Sequence, residues 1–173
     1  IKACYGEQQE RILVDLAHHF HRAGRIPEAI AYSVQAGEQA RTAYANDEAR
    51  KHFELALQLM ESTDPSEAQQ RWRLKALSGL GKLCFAMGKV PEAERYLRGA
   101  VTVGRQMALN PQDMAVLYHW LGETLFWQDQ YEERLHIGEE GLALLGDDTK
   151  SLGAALMNQT VAFALLLLGK PDR

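Results

Sequence analysis

One short phrase occurs twice in this chain and constrains its fold more than any other feature. Residues 23–29 (AGRIPEA) return as residues 87–93 (MGKVPEA), and each copy lies between two long helical patterns. In both copies a glycine ends one helix and a proline opens the next, where its missing N–H costs no intrahelical hydrogen bond. A unit that recurs in this way predicts a solenoid of helical hairpins.

Apolar periodicity and helix-capping residues extend this pattern along the whole chain. Four prolines are placed to open helices, namely Pro27, Pro65, Pro91 and Pro111, and Asp64 and Asn110 precede two of them as N-caps. Eight antiparallel helices are expected, over residues 7–23, 27–44, 47–61, 66–87, 91–107, 111–128, 131–145 and 149–168. They would form one domain over residues 1–173, with hairpins near 7–44, 36–61, 66–107, 111–145 and a truncated 149–173.

Composition narrows the class of protein. The chain has 173 residues, of which 46% are hydrophobic, enough for a substantial core. A net charge of −4 argues against nucleic-acid binding, which favours a basic surface. The longest apolar run, residues 161–168, is too short to cross a bilayer, which takes about 20 residues. Cys4 and Cys84 lack metal-ligand spacing and fit thiols of a reducing compartment, so a cytoplasmic protein is expected.

The chain opens at Ile1 without an initiator methionine and without a signal-peptide pattern. We therefore expect it to be a fragment of a longer protein.

Small residues recur where neighbouring helices should approach closely. In the first helix of each hairpin they are Ala17, Gly81, Gly122 and Ala162. In the second helices they are Ala29, Ala49 and Ala93, with Ala36, Ala56 and Ala100 seven residues later. Arg134 departs from this pattern and Gly141 replaces the second alanine, which predicts a loosely packed or bent fourth hairpin.

These positions, with Phe20, Phe53 and Tyr96 near the expected aromatic sites, resemble the tetratricopeptide repeat (TPR). The resemblance covers nearly the whole chain, although the period of roughly 40 residues exceeds the 34 of the usual repeat. It implies an all-α, TPR-like superhelix that binds a protein or peptide partner.

A narrower resemblance is carried by residues 16–20, 29–32, 36–40 and 44–49. This stretch is similar to the region that follows the ATPase core in bacterial signal-transduction ATPases with numerous domains, including those fused to class III nucleotide cyclases or to transcription-factor domains. The resemblance implies that an ATPase core lies upstream and that this chain starts the C-terminal scaffold region.

Catalytic, cofactor and metal chemistry find little support in the sequence. His18 and His21 are three apart but lack a carboxylate or thiolate partner, so no metal is expected. Residues 79–82 (GLGK) lack the spacing and the following Ser or Thr of a phosphate loop. The acidic pairs 132–133, 139–140 and 147–148 fit exposed helix ends better than an enclosed general acid-base site. We therefore expect no cofactor and no enzyme activity in this chain.

The repeat register predicts which side chains line the concave face of the array. In the first hairpin they are Arg11, His18, His21 and Arg22; in the third, Lys75, Lys82 and Phe85; and in the fourth, His119, Glu123, Phe126 and Trp127. Gln159 and Phe163 would extend this surface. The competing interpretation is that Trp120, Phe126 and Trp127 wedge between adjacent hairpins.

The end of the last helix predicts a second contact. Val161, Leu165 and Leu168 would be exposed if the next helix is missing, and they would then favour a homodimer.

Together these observations predict a non-catalytic protein-interaction and regulatory scaffold of a bacterial signalling ATPase or transcriptional regulator. Two alternatives stay open, namely a small-molecule effector sensor and an oligomerisation element. No nucleic acid or membrane partner is expected.

Overall fold

The chain folds into α-helices joined by short turns. The computed structural model describes residues 2–62 and 66–170, and the side chains of those from Ile12 onward. In these ranges the helices are α1 (Lys2–Arg22), α2 (Ile26–Thr42), α3 (Asn46–Glu61), α4 (Glu67–Ala86), α5 (Val90–Gln106), α6 (Pro111–Phe126), α7 (Tyr131–Leu145) and α8 (Leu152–Leu167). The predicted all-α class with eight helices is confirmed.

Some sequence predictions fall outside the described residues. The cap and the helix opener predicted at Asp64 and Pro65 are among them, as are the side chains of Cys4 and Arg11. Within the described part of the chain, no helix combines the length and the apolar character that a membrane crossing requires.

Helix ends follow the capping chemistry that the sequence predicted, with two corrections. The first helix begins at Lys2, five residues before the predicted start at residue 7. Asn110 caps α6, because its Oδ1 accepts a hydrogen bond from the Asp113 backbone N–H at 3.0 Å. The last helix begins at Leu152 rather than at 149. Ser151 is its N-cap, and the Asp148 carboxylate accepts from the backbone N–H groups of Lys150 and Ser151, which holds residues 148–151 in a turn.

The helices form two compact units, unit 1 over residues 1–83 and unit 2 over residues 84–173. In unit 1, α2 packs on both α1 and α3. The centre of unit 1 is Phe53, whose ring is fully buried. Gly37 and Gly79 lie so close to this ring that a Cβ on either would come within 2.8 Å and 2.6 Å of it. Gly79 is thus a packing residue within α4, in line with its exclusion from a phosphate loop.

In unit 2, α6 is the central helix and packs against α5, α7 and α8. Its small and apolar residues are buried, including Gly122, and Thr160 of α8 lies against that glycine. Two arginines of α5 also reach α7. Arg98 binds Glu133 in a bidentate ion pair, and Arg105 binds Glu140, each pair 35 positions apart in the sequence.

Two expectations about the last two hairpins are wrong. Ala162 is exposed, because α8 instead buries Ala154, Met157, Thr160 and Ala164. Arg134 does not loosen the packing, because its side chain is only 2% exposed and is the largest of the fully buried side chains.

Candidate functional site

A small open pocket lies on unit 2 where α6, α7 and α8 meet. It is lined by Glu123, Phe126, Arg134, Gln159 and Phe163, and its volume is about 190 Å³. Four of these five residues were predicted from the repeat register as surface side chains. The fifth, Arg134, is the member that sequence reasoning missed.

Arg134 is positioned by three acceptors. Its Nη1 donates to the carbonyl oxygen of Gly122 at 2.9 Å, its Nε to the carbonyl oxygen of Thr160 at 3.3 Å, and its Nη2 to Oε1 of Glu123 at 3.0 Å. The guanidinium carbon also lies 5.2 Å from the centre of the Phe126 ring, a cation–π contact. A buried charge persists only when it is paired and hydrogen-bonded, and these contacts meet that requirement.

A sequence signal for Arg134 existed. The second helices repeat a small–large–small pattern at Ala49, Phe53 and Ala56, whereas α7 has Arg134, Gly138 and Gly141 at the same spacing. A Cβ on Gly138 would come within 2.7 Å of Val161, and one on Gly141 within 2.3 Å of Met157. The space at the two glycines is thus occupied by Val161 and Met157 of α8, not by the arginine. The sequence signal for the burial of Arg134 is its position, because the other second helices carry a buried alanine there, namely Ala29, Ala49 and Ala93.

Glu123 joins the buried arginine to the open pocket. Its side chain is 27% exposed, and among the described residues only its Oε1 accepts a side-chain hydrogen bond, from Arg134. One turn earlier on α6, His119 is half-buried, and its Nδ1 has no hydrogen-bond partner among the described residues. Burial lowers the pKa of the His119 imidazole, and the charge of Glu123 opposes that shift. His119 is therefore favoured as a neutral ring beside the ion pair.

The predicted aromatic residues occupy different environments. Trp127 is 65% exposed and meets the edge of Phe126 with ring centres 5.6 Å apart. Trp120 is half-buried and packs edge-on against Phe85 at 5.9 Å. Of the residues that could wedge between helices, Trp120 and Phe85 pack together, while Trp127 remains open to solvent.

The structure separates the residues predicted on unit 1. His18, His21 and Arg22 are exposed on α1. Lys75 lies over the Trp72 ring at 4.9 Å, in a groove of about 680 Å³. This groove is lined by Ser66, Glu67, Ala68, Arg71, Trp72 and Lys75, all from α4 or the residue before it.

Lys82 does not line that groove. It is half-buried, and burial lowers the pKa of its ammonium group, assisted by the positive charge of Arg41. Both lysines lie on α4, and an Arg71–Glu67 ion pair mixes charges at the groove beside Lys75.

The residues predicted for self-association are only partly accessible. Val161 and Leu165 of α8 are half-buried, as is Leu168, the C-cap of that helix, and Val161 lies against Gly138. The large apolar side chains that are exposed on this helix are Leu152, Phe163, Leu166 and Leu167.

Another cluster on unit 2 is polar and mutually satisfied. Arg105 donates to the Tyr118 hydroxyl at 3.2 Å, and that hydroxyl donates to Glu140 at 2.6 Å. Burial raises the pKa of the Tyr118 phenol, and its hydrogen bond to Glu140 adds to that shift. These paired charges join α5, α6 and α7.

Among the described residues, no group of three or more His, Cys, Asp or Glu side chains is placed to hold a metal ion. The cysteine whose side chain the structure describes, Cys84, is buried.

Comparison with known proteins defines the class of fold. Two crystal structures of a putative kinesin light chain from Podospora anserina with nearly identical TPR-like repeats superpose with TM-scores of 0.70 and 0.69. Each is 15% identical, and each match covers 95% of this chain and 88% or 89% of the other. At that identity the likeness concerns the fold alone, and this chain has the TPR-like helical-repeat fold.

The comparison of sequences gives a bacterial relative. Over 116 residues the chain is 32% identical to an uncharacterised protein of Rhizobium meliloti (strain 1021). That match covers 66% of this chain but 11% of the relative's length. No protein-family model matches the chain.

Proposed function

We propose that this chain is a non-catalytic scaffold that binds a protein partner through the surface of α6 and α8 in unit 2. The observation that carries the proposal is the pocket over the Glu123–Arg134 pair, which has exposed Trp127 and Phe163 beside it. Aromatic side chains around a small, partly desolvated pocket are the usual anchors of protein recognition. The TPR-like fold suits this role because it presents side chains from successive hairpins on one surface.

We further propose that the scaffold belongs to a longer cytoplasmic protein, a bacterial signalling ATPase or transcriptional regulator. Two observations support this setting. Residues 16–49 are similar to the region after the ATPase core of such proteins, and the bacterial relative is far longer than the matching stretch. A partner would act there by binding two states of the ATPase with different affinities, since equal affinities shift no equilibrium.

Peptide selection on the immobilised chain tests the binding role. A random dodecapeptide library should give peptides with micromolar Kd values. Trp127→Ala and Phe163→Ala should each weaken them by about tenfold or more, the loss expected for an anchor residue. Tyr44→Ala is the matched control, because Tyr44 is an exposed aromatic residue of unit 1. If no peptide binds, the scaffold proposal is wrong; if the unit 2 variants bind unchanged, the site lies elsewhere.

The signalling setting has its own test. The full-length Rhizobium relative should hydrolyse ATP, and its turnover should change when the region that matches this chain is deleted. Absence of ATP hydrolysis would reject the proposal that the scaffold belongs to a signalling ATPase, and it would leave the proposal of partner binding unaffected.

The size of the pocket bears on the small-molecule alternative. Sites for drug-sized ligands usually enclose about 300–1,000 Å³, and the pocket at Glu123 holds about 190 Å³. At Glu123 a single side chain of a partner fits better than a complete effector molecule, whereas the groove at Trp72, of about 680 Å³, has the size of a small-molecule site.

Self-association is the second candidate function, and the exposed apolar residues of α8 favour it. Sedimentation at increasing concentration should show a dimer, with Val161, Leu165 and Leu168 at the margin of its contact. Leu166→Gln should yield a monomer, whereas Leu144→Gln should not. Leu144 is an exposed leucine of α7 and controls for loss of apolar surface. A wild-type monomer at all concentrations would reject this candidate.

A further inference from the structure

The pocket on unit 2 has Arg134 and Glu123 at its base and the rings of Phe126 and Phe163 along its sides. The positions of the two charged groups determine whether the pocket favours an anionic or a cationic ligand. Arg134 forms the floor but is 2% exposed, and its guanidinium already donates to Gly122, Thr160 and Glu123. An incoming anion would have to displace Glu123 to reach it. The arginine is therefore a poor anion receptor.

Glu123 presents the opposite case. A carboxylate offers about four acceptor positions, and Arg134 uses one oxygen of Glu123 in this structure. The side chain is 27% exposed and lines the pocket, so a second donor can reach it while the Arg134 contact stays intact. The buried guanidinium also fixes the carboxylate in place, so little side-chain entropy is lost when a ligand binds.

The walls favour a long side chain that is apolar along its stem and cationic at its tip. Phe126 and Phe163 line the pocket, and a lysine or arginine stem packs well on such rings while its head group meets a polar partner. Arginine suits the pocket better than lysine. Its planar guanidinium stacks on an aromatic face and carries several donors, which Glu123 and the Gln159 amide oxygen can accept together.

Exposed apolar side chains near the pocket indicate which residues should flank the arginine of the partner. Trp127, Leu166 and Leu167 are exposed apolar side chains on the helices that border the pocket. A partner segment that covers them needs apolar residues next to its arginine.

From this geometry we propose that the Glu123 pocket binds an arginine side chain of a protein partner, flanked in the partner by apolar residues. The inference rests on the proposed scaffold function and names the chemistry of its partner.

The test uses capped pentapeptides of sequence Ala-Leu-X-Leu-Ala, in which X is arginine, lysine, citrulline or glutamate. Citrulline keeps the shape of arginine without its charge. Each is titrated into the ¹⁵N-labelled chain and followed by two-dimensional NMR. The arginine peptide should shift the amide signals of Glu123, Phe126, Gln159 and Phe163. Citrulline should bind about tenfold more weakly, because an ion pair in a partly desolvated site is lost.

Variants of the chain test whether the preference for arginine over citrulline depends on the Glu123 carboxylate. Glu123→Gln keeps an oxygen for Arg134 but removes the charge, so arginine and citrulline peptides should bind it about equally. Glu139→Gln is the control, because it removes an exposed glutamate of α7 and should retain the tenfold preference. Phe163→Leu is a second variant, and it should reduce the advantage of arginine over lysine even if Glu123→Gln disturbs the fold.

Three results would overturn the inference. One is equal binding of the citrulline or glutamate peptide to the wild-type chain, and another is an arginine preference that persists in Glu123→Gln. The third is the absence of pocket shifts with the arginine peptide while library-selected peptides still bind, which leaves the scaffold function standing. Failure of every peptide, selected or designed, would instead reject both proposals.

Discussion

Helices α3 and α7 occupy equivalent positions in their hairpins but fill their cores in opposite ways. In α3 the pattern is Ala49, Phe53 and Ala56, all fully buried, and the large residue is the middle one. In α7 the pattern is Arg134, Gly138 and Gly141, and the large residue is the first. The same spacing of three helix positions thus buries the phenylalanine Phe53 in unit 1 and the arginine Arg134 in unit 2.

This difference has a chemical consequence. Phe53 needs only apolar contact, and two glycines bring helix backbones close to its ring. Arg134 needs acceptors, and it obtains two of them from backbone carbonyl groups and the third from Glu123. Unit 1 therefore closes its core around hydrocarbon, whereas unit 2 extends a charge pair from its core to a surface pocket.

The largest expected effect comes from removing the arginine. Arg134→Ala leaves Glu123 without its partner, leaves two buried carbonyl groups without this donor and opens a cavity. Breaking a buried ion pair of this kind costs about 3–5 kcal/mol. Urea unfolding should show this loss, and Arg98→Ala, which removes a more exposed arginine, should cost about 1 kcal/mol or less. Equal losses in the two variants would contradict the special role of Arg134.

The second-largest loss of stability is expected from overpacking the core around Phe53. In Gly79→Ala the new methyl group would lie 2.6 Å from the ring, which forces a shift in a packed core and costs about 1–3 kcal/mol. Phe53→Leu shortens this side chain, so Gly79→Ala should cost less in that background than in the wild type. A double-mutant cycle on the free energy of unfolding measures this coupling. Strictly additive losses would show that the ring and the glycine do not compete for space.

At two turns that end helices, a glycine substitution should stabilise the protein, whereas the two preceding substitutions destabilise it. Tyr44 in unit 1 and Ala108 in unit 2 have φ angles of 61° and 48°, a left-handed conformation that costs a residue with a Cβ about 1–2 kcal/mol. Tyr44→Gly and Ala108→Gly should each raise the thermal midpoint, with a net gain below about 1 kcal/mol because glycine also loses more chain entropy. Gly88→Ala, at φ 72°, should lower it. A fall in stability on Ala108→Gly would contradict this account.

The smallest effect concerns the ion pair between α5 and α7. The hydrogen bonds from Arg98 lower the pKa of the Glu133 carboxyl below its ordinary value. Its contribution is therefore complete above the unfolded-state pKa of about 4.3 and is lost as the pH falls through the lower folded-state value. Because both side chains are well exposed, the contribution is about 1 kcal/mol or less.

Thermal unfolding between neutral and acidic pH measures this contribution. Glu133→Gln should be less stable than the wild type at neutral pH and should lose less stability on acidification. Added salt should reduce the difference, because the pair is screened. Identical pH profiles for the two proteins would show that the pair contributes nothing.

Much of the fold could be predicted from particular residues. The proline and glycine of the recurring phrase marked helix boundaries, and Asn110 marked the start of α6, because these residues act through local backbone geometry. Ala162 shows the limit of that reasoning. Its place in the repeat predicted burial, but burial requires a partner on that face, and in the described residues α8 packs through other side chains.

The candidate site was predicted in part. The repeat register predicted His119, Glu123 and Trp127 on the concave face, and the structure puts Glu123 in a pocket and leaves Trp127 exposed. The roles predicted for these residues remain proposals. Spacing within one helix could not show that Gln159 and Phe163 of α8 border the same pocket as Arg134 of α7, because that juxtaposition depends on how three helices pack.

The sequence by itself determined the helices, their turns and the repeat that joins them, since capping, proline geometry and apolar periodicity all act over a few residues. Only the tertiary structure decided that Arg134 is buried and bound to Gly122, Thr160 and Glu123. Whether an arginine lies in solvent or in a core depends on acceptors supplied by other helices. Those acceptors are mostly backbone carbonyl groups, which every residue carries, and so they leave no mark in the order of the side chains.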